Sequence, residues 1–195
     1  MKKTCFFRII AAGVILLAAV TYGYCVDPAP AESMLDGLER SLELSRHERF
    51  LLEKQNPDNS LSPFTTDGCS GGLSVGWQYL SENIEYLKSV HGNLPPWESC
   101  CVSHDLLYHA AGDSDSTPEM SFSARRRADE ALRSCVLDVG LSRASELAGQ
   151  YELSVEEVGQ VYGVIADLMY RAVRIGGVPC SGLPWRWGYG WPQCD

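Results

Sequence analysis

The residues best suited to chemistry in this 195-residue chain lie in one short stretch, Cys100-Cys101-Val102-Ser103-His104-Asp105-Leu106-Leu107-Tyr108. His104 is a base that titrates near neutrality, and Tyr108, four positions on, shares its face if the stretch is helical, while Asp105 projects around the side. Adjacent cysteines on a helix point about 100° apart, so Cys100 and Cys101 must bond different segments. If Cys100 bonds Cys135 and the two helices run antiparallel, His104 lies about 6 Å along the axis from the bridge and Asp129 about 9 Å in the same direction. The imidazole and the carboxylate then meet, which would fix the tautomer of His104 and stabilise the imidazolium formed when it takes a proton from water. Taken singly, His104 reads as a satisfied interior histidine. Asp129 alone reads as a solvated charge in the run Arg125-Arg126-Arg127-Ala128-Asp129-Glu130.

The elements that must position this pair are helical. Residues 33–55 carry Met34, Leu35, Leu38, Leu42, Phe50 and Leu51 at helical spacing and predict an amphipathic first helix. The turn-rich residues 56–67 lead into Asp67-Gly68-Cys69-Ser70-Gly71-Gly72, a glycine-dense loop, and residues 77–90 predict a short helix. Pro96 suits the first position of a helix running to Ala111, since its missing N–H would be unpaired there. Thr117 and Pro118 supply a cap and first residue for a helix over 119–139. Ser154 and Glu157 form a capping box before Val158, Val161, Ile165 and Leu168, and Gly176-Gly177 stops that last helix. No segment shows the alternation of a strand. The fold class expected is all-α, disulfide-linked helices forming a single domain over residues 32–195, with a helical extension at 33–55 and an aromatic-rich tail at 178–195.

Composition narrows the function. With 45% hydrophobic and 21% charged residues the chain should fold, and a formal net charge of −9 offers no basic footprint for nucleic acid. Lys2, Lys3 and Arg8 precede an apolar run at 9–20 that as a helix would span about 18 Å, short of the roughly 30 Å bilayer core. Residues 1–31 therefore read as a signal peptide, giving a secreted chain, extracellular or periplasmic, with no transmembrane span. Ala29-Pro30-Ala31 and Thr21-Tyr22-Gly23 are both candidate cleavage points. Cleavage removes Cys5 and Cys25 and leaves six cysteines, at 69, 100, 101, 135, 180 and 194. That even number in an oxidising compartment reads as three disulfides, of about 15 possible connectivities.

Together these residues resemble the secreted phospholipase A2 family. Cys-Cys-x-x-His-Asp-x-x-Tyr is similar to its active-site helix signature, the loop at 67–72 to its calcium loop, and Asp129 with Cys135 to its second helix. The likeness covers residues 64–139 and fits the shorter members, since no β-hairpin fits between His104 and Asp129. It implies a core of two antiparallel active-site helices and calcium-dependent hydrolysis of the sn-2 ester of glycerophospholipids, releasing a fatty acid. His104 would be the base, Asp129 would orient it and Tyr108 would support the network. Asp105 would bind Ca²⁺ with the backbone carbonyls of Gly68, Ser70 and Gly72. The resemblance also pairs Cys69 with Cys101 and Cys100 with Cys135, leaving Cys180 and Cys194 to close the tail. Three features depart from the pattern: an insertion over 73–97, Leu107 where a cysteine is common, and Ser70 where glycine is usual.

Other readings compete with this one. Gly68-Cys69-Ser70-Gly71-Gly72 also satisfies Gly-x-Ser-x-Gly, but no strand precedes it and no histidine follows His109. A zinc site from Cys100, Cys101, His104 and His109 fails because the two histidines diverge by about 140° on a helix. His47 and His91 belong to no motif and are expected on the surface. Trp185, Trp187, Tyr189 and Trp191 either touch the phospholipid surface or pack as a lid on the core. The rival function is a non-catalytic phospholipase-like module that binds calcium or lipid.

Overall fold

The computed structural model describes residues 29–69, 94–113 and 116–194, with the side chains of 29–36 and 39 outside the description. The candidate signal peptide through residue 28, the helix expected at 77–90, the insertion through residue 93, and His91, Ser70 and Gly72 lie outside the described residues. Among the described residues there are five α-helices and no strand: α1 (Ala29–Gln55), α2 (Glu98–Ala110), α3 (Pro118–Ser142), α4 (Ala144–Tyr151) and α5 (Val155–Gly176). None of them is long and apolar enough to cross a membrane.

Local chemistry sets the helix ends. Thr117 Oγ1 accepts from the Met120 N–H at 3.2 Å with Pro118 in the first turn, which stabilises the start of α3 by about 1 kcal/mol. At α5, Ser154 Oγ accepts from the Glu157 N–H at 3.1 Å while Glu157 Oε2 accepts from the Ser154 N–H at 2.7 Å, a complete capping box. The expected start of α2 at Pro96 is displaced to Glu98, because the Glu98 N–H turns back to the Pro95 carbonyl at 3.0 Å and Trp97 becomes the N-cap. The eight residues of α4 have no counterpart among the expected helices; Arg143 and the left-handed Glu152 separate them from the helices on either side.

The long α3 packs against α1, α2, α4 and α5. Gly140 makes the α5 contact possible, since a Cβ there would meet Tyr162 Cγ at 2.3 Å. One apolar cluster gathers Trp97, Leu132, Val136, Leu147, Val158, Tyr162, Ala166 and Met169 from α3, α4, α5 and the α2 cap. A second gathers Phe50, Leu51, Tyr108, Ala111, Ala128 and Trp187. Three disulfides, Cys69–Cys101, Cys100–Cys135 and Cys180–Cys194, join the cysteines in the pairs named above. Neighbouring cysteines on α2 thus reach two different segments, and Cys100–Cys135 clamps α2 to an antiparallel α3.

The first helix buries an unexpected face. Leu38 and Leu42 are 56% and 66% exposed, whereas Glu43, His47, Phe50 and Lys54 point inward at helical spacing. His47, expected on the surface, has no exposure at all. Its ring is fully partnered: Nε2 lies 3.0 Å from Glu43 Oε1 and Nδ1 lies 2.8 Å from Ser121 Oγ. Lys54 is held by three carbonyls at the C-terminal end of α2, those of Ala110 (3.1 Å), Ala111 (3.0 Å) and Gly112 (2.6 Å). Carbonyls at a helix C-terminus lack intrahelical partners, carry partial negative charge and favour a cation.

The tail packs as a lid over α2, and its four aromatic residues divide. Trp187 is buried, donating its indole N–H to Ser121 Oγ at 3.0 Å and crossing Tyr108 edge to face. Trp191 and Tyr189 are half-buried, donating to the carbonyls of Ala110 (3.2 Å) and Thr65 (2.7 Å). Only Trp185, 45% exposed, keeps a surface free. Gly188 takes φ 77 and lies against the Phe50 ring, letting its N–H donate to the Tyr108 carbonyl at 2.8 Å.

Candidate active site

Antiparallel α2 and α3 place His104 opposite Asp129. His104 Nε2 lies 2.9 Å from Asp129 Oδ1, and the Tyr108 hydroxyl donates to the same oxygen at 2.6 Å. Asp129 is completely buried, so the solvated-charge alternative does not hold. An isolated carboxylate there would be strongly disfavoured; it is sustained because both oxygens are occupied. Arg174 of α5 donates to Oδ2 at 2.9 Å, and Arg125, one turn earlier on α3, stands 3.9 Å from it.

With Nε2 directed at a carboxylate, the neutral imidazole carries its proton there and leaves Nδ1 as the acceptor. Nδ1 is 4.0 Å from Asp105 Oδ1. Burial disfavours the imidazolium, but hydrogen bonding and charge from Asp105 and Asp129 outweigh it and raise the His104 pKa. The Tyr108 phenol is pushed well above its ordinary value, first by burial and then by the Asp129 charge, so it remains a donor.

His104, Asp105 and Tyr108 share a cleft with Gly68, Leu132, Met169, Val173 and Trp185. The polar groups therefore stand beside an apolar wall built from α3, α5 and the tail. On the other side of Asp105 a second hollow is lined by Thr65, Thr66, Asp67, Pro184, Trp185 and Tyr189. Trp185 borders both. Tyr189 there has its phenol pushed up to about 12, by burial and then by the charges of Asp105 and Asp67.

The rim of the cleft is rich in oxygen. Thr66 Oγ1 donates to Asp105 Oδ2 at 2.6 Å and accepts from the Gly68 N–H at 3.0 Å, tying the loop to α2. Gly68 turns with φ 68, and a Cβ there would fall 1.7 Å from Glu98 Oε1. Glu98 Oε2 is buried and has no hydrogen-bond partner among the described residues. Burial raises the Glu98 pKa, with Asp105 and Asp67 adding to the effect against a backbone hydrogen bond from Cys69. Among the described residues no three His, Cys, Asp or Glu side chains converge as a metal cluster, so a cation here would draw backbone carbonyls into its shell. Hard carboxylate oxygens, one of them unpartnered, beside a left-handed glycine fit such a cation.

Several members of the site carried no sequence signal of their own. Glu43 accepts from Arg125 on Oε1 and from Arg174 on Oε2 at 3.1 Å. Arg125, fully buried, also donates to the Tyr108 hydroxyl at 3.1 Å and to the carbonyls of Val173 (2.8 Å) and Arg174 (2.7 Å). Although burial favours its neutral form, the His47 hydrogen bond and the two arginine charges hold the Glu43 carboxyl below its usual range. No protein-family model, no curated protein and no solved structure matches this chain.

Proposed function

We propose that the chain is a secreted, calcium-dependent phospholipase A2-type esterase with a phospholipase A2-like core. The observation that carries this is the buried His104–Asp129 pair, with Nδ1 of the base turned toward a cleft that has an apolar wall on one side and Asp105 on the other. A base oriented in this way suits removal of a proton from water beside an acyl chain. The three disulfides agree with an oxidising compartment.

In this mechanism His104 Nδ1 takes a proton from a water whose oxygen attacks the sn-2 ester carbonyl carbon. Asp129 stabilises the imidazolium and Tyr108 holds Asp129 in place. The ester C–O bond breaks, and His104 returns the proton to the glycerol oxygen, giving a free fatty acid and a lysophospholipid. Leu132, Met169 and Val173 would hold the acyl chain and exclude bulk water. Calcium, held by Asp105 and loop carbonyls including that of Gly68, with Glu98 beside them, would supply positive charge for the phosphate and the developing oxyanion. Of the four tail aromatics, Trp185 is the one most available to a phospholipid surface. The acidity of the chain favours zwitterionic over anionic bilayers.

Fatty-acid release from phosphatidylcholine vesicles, with and without a calcium chelator, tests the proposal. Release should require both calcium and His104. Release that survives His104→Gln or chelation overturns the mechanism, and calcium binding without release assigns the chain to the non-catalytic class instead.

A further inference from the structure

Asp129 uses its two oxygens differently. Oδ1 serves His104 and Tyr108, while Oδ2 faces Arg174 at 2.9 Å and Arg125 at 3.9 Å. Two guanidinium groups on one buried carboxylate would draw its charge away from the imidazole. Glu43, itself only 4% exposed, meets the same two guanidiniums from the other side. Among these four groups there are two positive and two negative charges, and the second acid comes from α1. His47 and Ser121 hold Glu43 in turn: the Trp187 indole donates to Ser121 Oγ, Ser121 stands 2.8 Å from His47 Nδ1, and His47 Nε2 stands 3.0 Å from Glu43.

We propose that Glu43 is a positioning residue for His104, acting on Asp129 through Arg125 and Arg174, so that the first helix is part of the active centre. With Glu43 ionised, each arginine divides its attraction between two carboxylates, and Asp129 keeps the charge that fixes the His104 proton on Nε2. With Glu43 neutral, both arginines lose one of the carboxylates they answer and bear more heavily on Asp129. Its hold on the imidazole weakens, and Arg125 shifts against the Tyr108 hydroxyl that it also contacts. A purely structural salt bridge would affect stability alone.

This inference rests on the reading of His104 as the base, so its test has one arm that needs no activity. Glu43→Gln keeps the shape and removes the charge. At fixed alkaline pH and saturating calcium, kcat on phosphatidylcholine should fall on the order of 10–100-fold with KM unchanged. The low-field NMR signal of the His104 Nε2 proton should shift upfield or be lost, while Glu43→Asp restores part of both readouts. Should Glu43→Gln fail to fold, Arg174→Gln, which removes one of the charges competing with the imidazole for Asp129, should move the His104 Nε2 proton signal the other way, downfield. A folded variant with unchanged kcat and an unmoved His104 proton overturns the inference, as does a loss confined to KM. If the wild-type chain hydrolyses no phospholipid, the functional proposal falls while the proton signal still decides this one.

Discussion

Glu43 and Asp129, from different helices, share both of their guanidinium partners: Arg125 and Arg174 each reach from one carboxylate to the other. The arrangement joins the candidate site to the first helix, and it makes the buried charges interdependent. Removing one member of such a group typically costs about 3–5 kcal/mol, because an uncompensated charge is left inside. Asp129→Ala should therefore lower unfolding stability by about that amount in urea melts, well beyond the ~1 kcal/mol of an average substitution.

His104→Gln should leave the fold in place, since glutamine can still donate to Asp129, but it removes the proton acceptor. Fatty-acid release should fall by about 10²–10⁴-fold. A thermal midpoint close to that of the wild type would show that the loss is chemical.

Below about pH 6.5, where the stabilising protonation of His104 is complete because its pKa is raised, His47 and Glu43 should make stability fall on acidification in two stages. His47 has its pKa lowered, chiefly by burial, so between the unfolded value near 6.5 and the lower folded value the unfolded chain binds the extra proton. Glu43 is lowered as well, and its contribution, present above about 4.5, is lost as pH falls through the folded value. Urea midpoints should decline below neutrality and again in the acid range. Replacing His47 by glutamine should flatten the first decline; an unchanged profile would contradict the assignment.

Lys54→Met should destabilise the chain by about 2 kcal/mol, because three carbonyls at the C-terminal end of α2 lose their charged donor. Trp191, whose ring lies 5.5 Å from the Lys54 ammonium and whose indole donates to the Ala110 carbonyl, should report the change as altered fluorescence.

Gly188→Ala should detach the tail. The left-handed backbone costs about 1–2 kcal/mol for an L side chain, and the added Cβ would stand 2.1 Å from the Phe50 ring. A red-shifted tryptophan emission, from exposure of Trp187, is the expected signal.

Asp105→Asn should abolish calcium binding measured by calorimetry, and Glu98→Gln should weaken it. Full affinity in both variants would remove the cation from this rim.

The pairing of His104 with Asp129 was legible because two periodicities and one covalent clamp constrain it: four residues from Cys100 and six back from Cys135 put the two groups at one height. Caps at Thr117 and Ser154 were legible because their partners lie within three residues. The face of α1 was not. Leu38 and Leu42 suggested an apolar stripe, but Glu43 and His47 are buried because Arg125, Arg174 and Ser121, all distant in sequence, complete their hydrogen bonds. The same holds for Trp187, whose inward position depends on Ser121. His47 looked like a surface residue for want of a motif, and its role emerges only from groups on three other segments.

The inward polar face of α1 also redraws what counts as the smallest working unit. A fragment spanning 64–139 would contain the histidine, its aspartate and the paired cysteines, and so would look sufficient to anyone excising the recognisable part. It would also contain Arg125 without the acid that answers it, and Tyr108 without the indole that covers it. Any shortened form intended to keep the His104–Asp129 geometry has to begin before Glu43 and extend beyond Trp187.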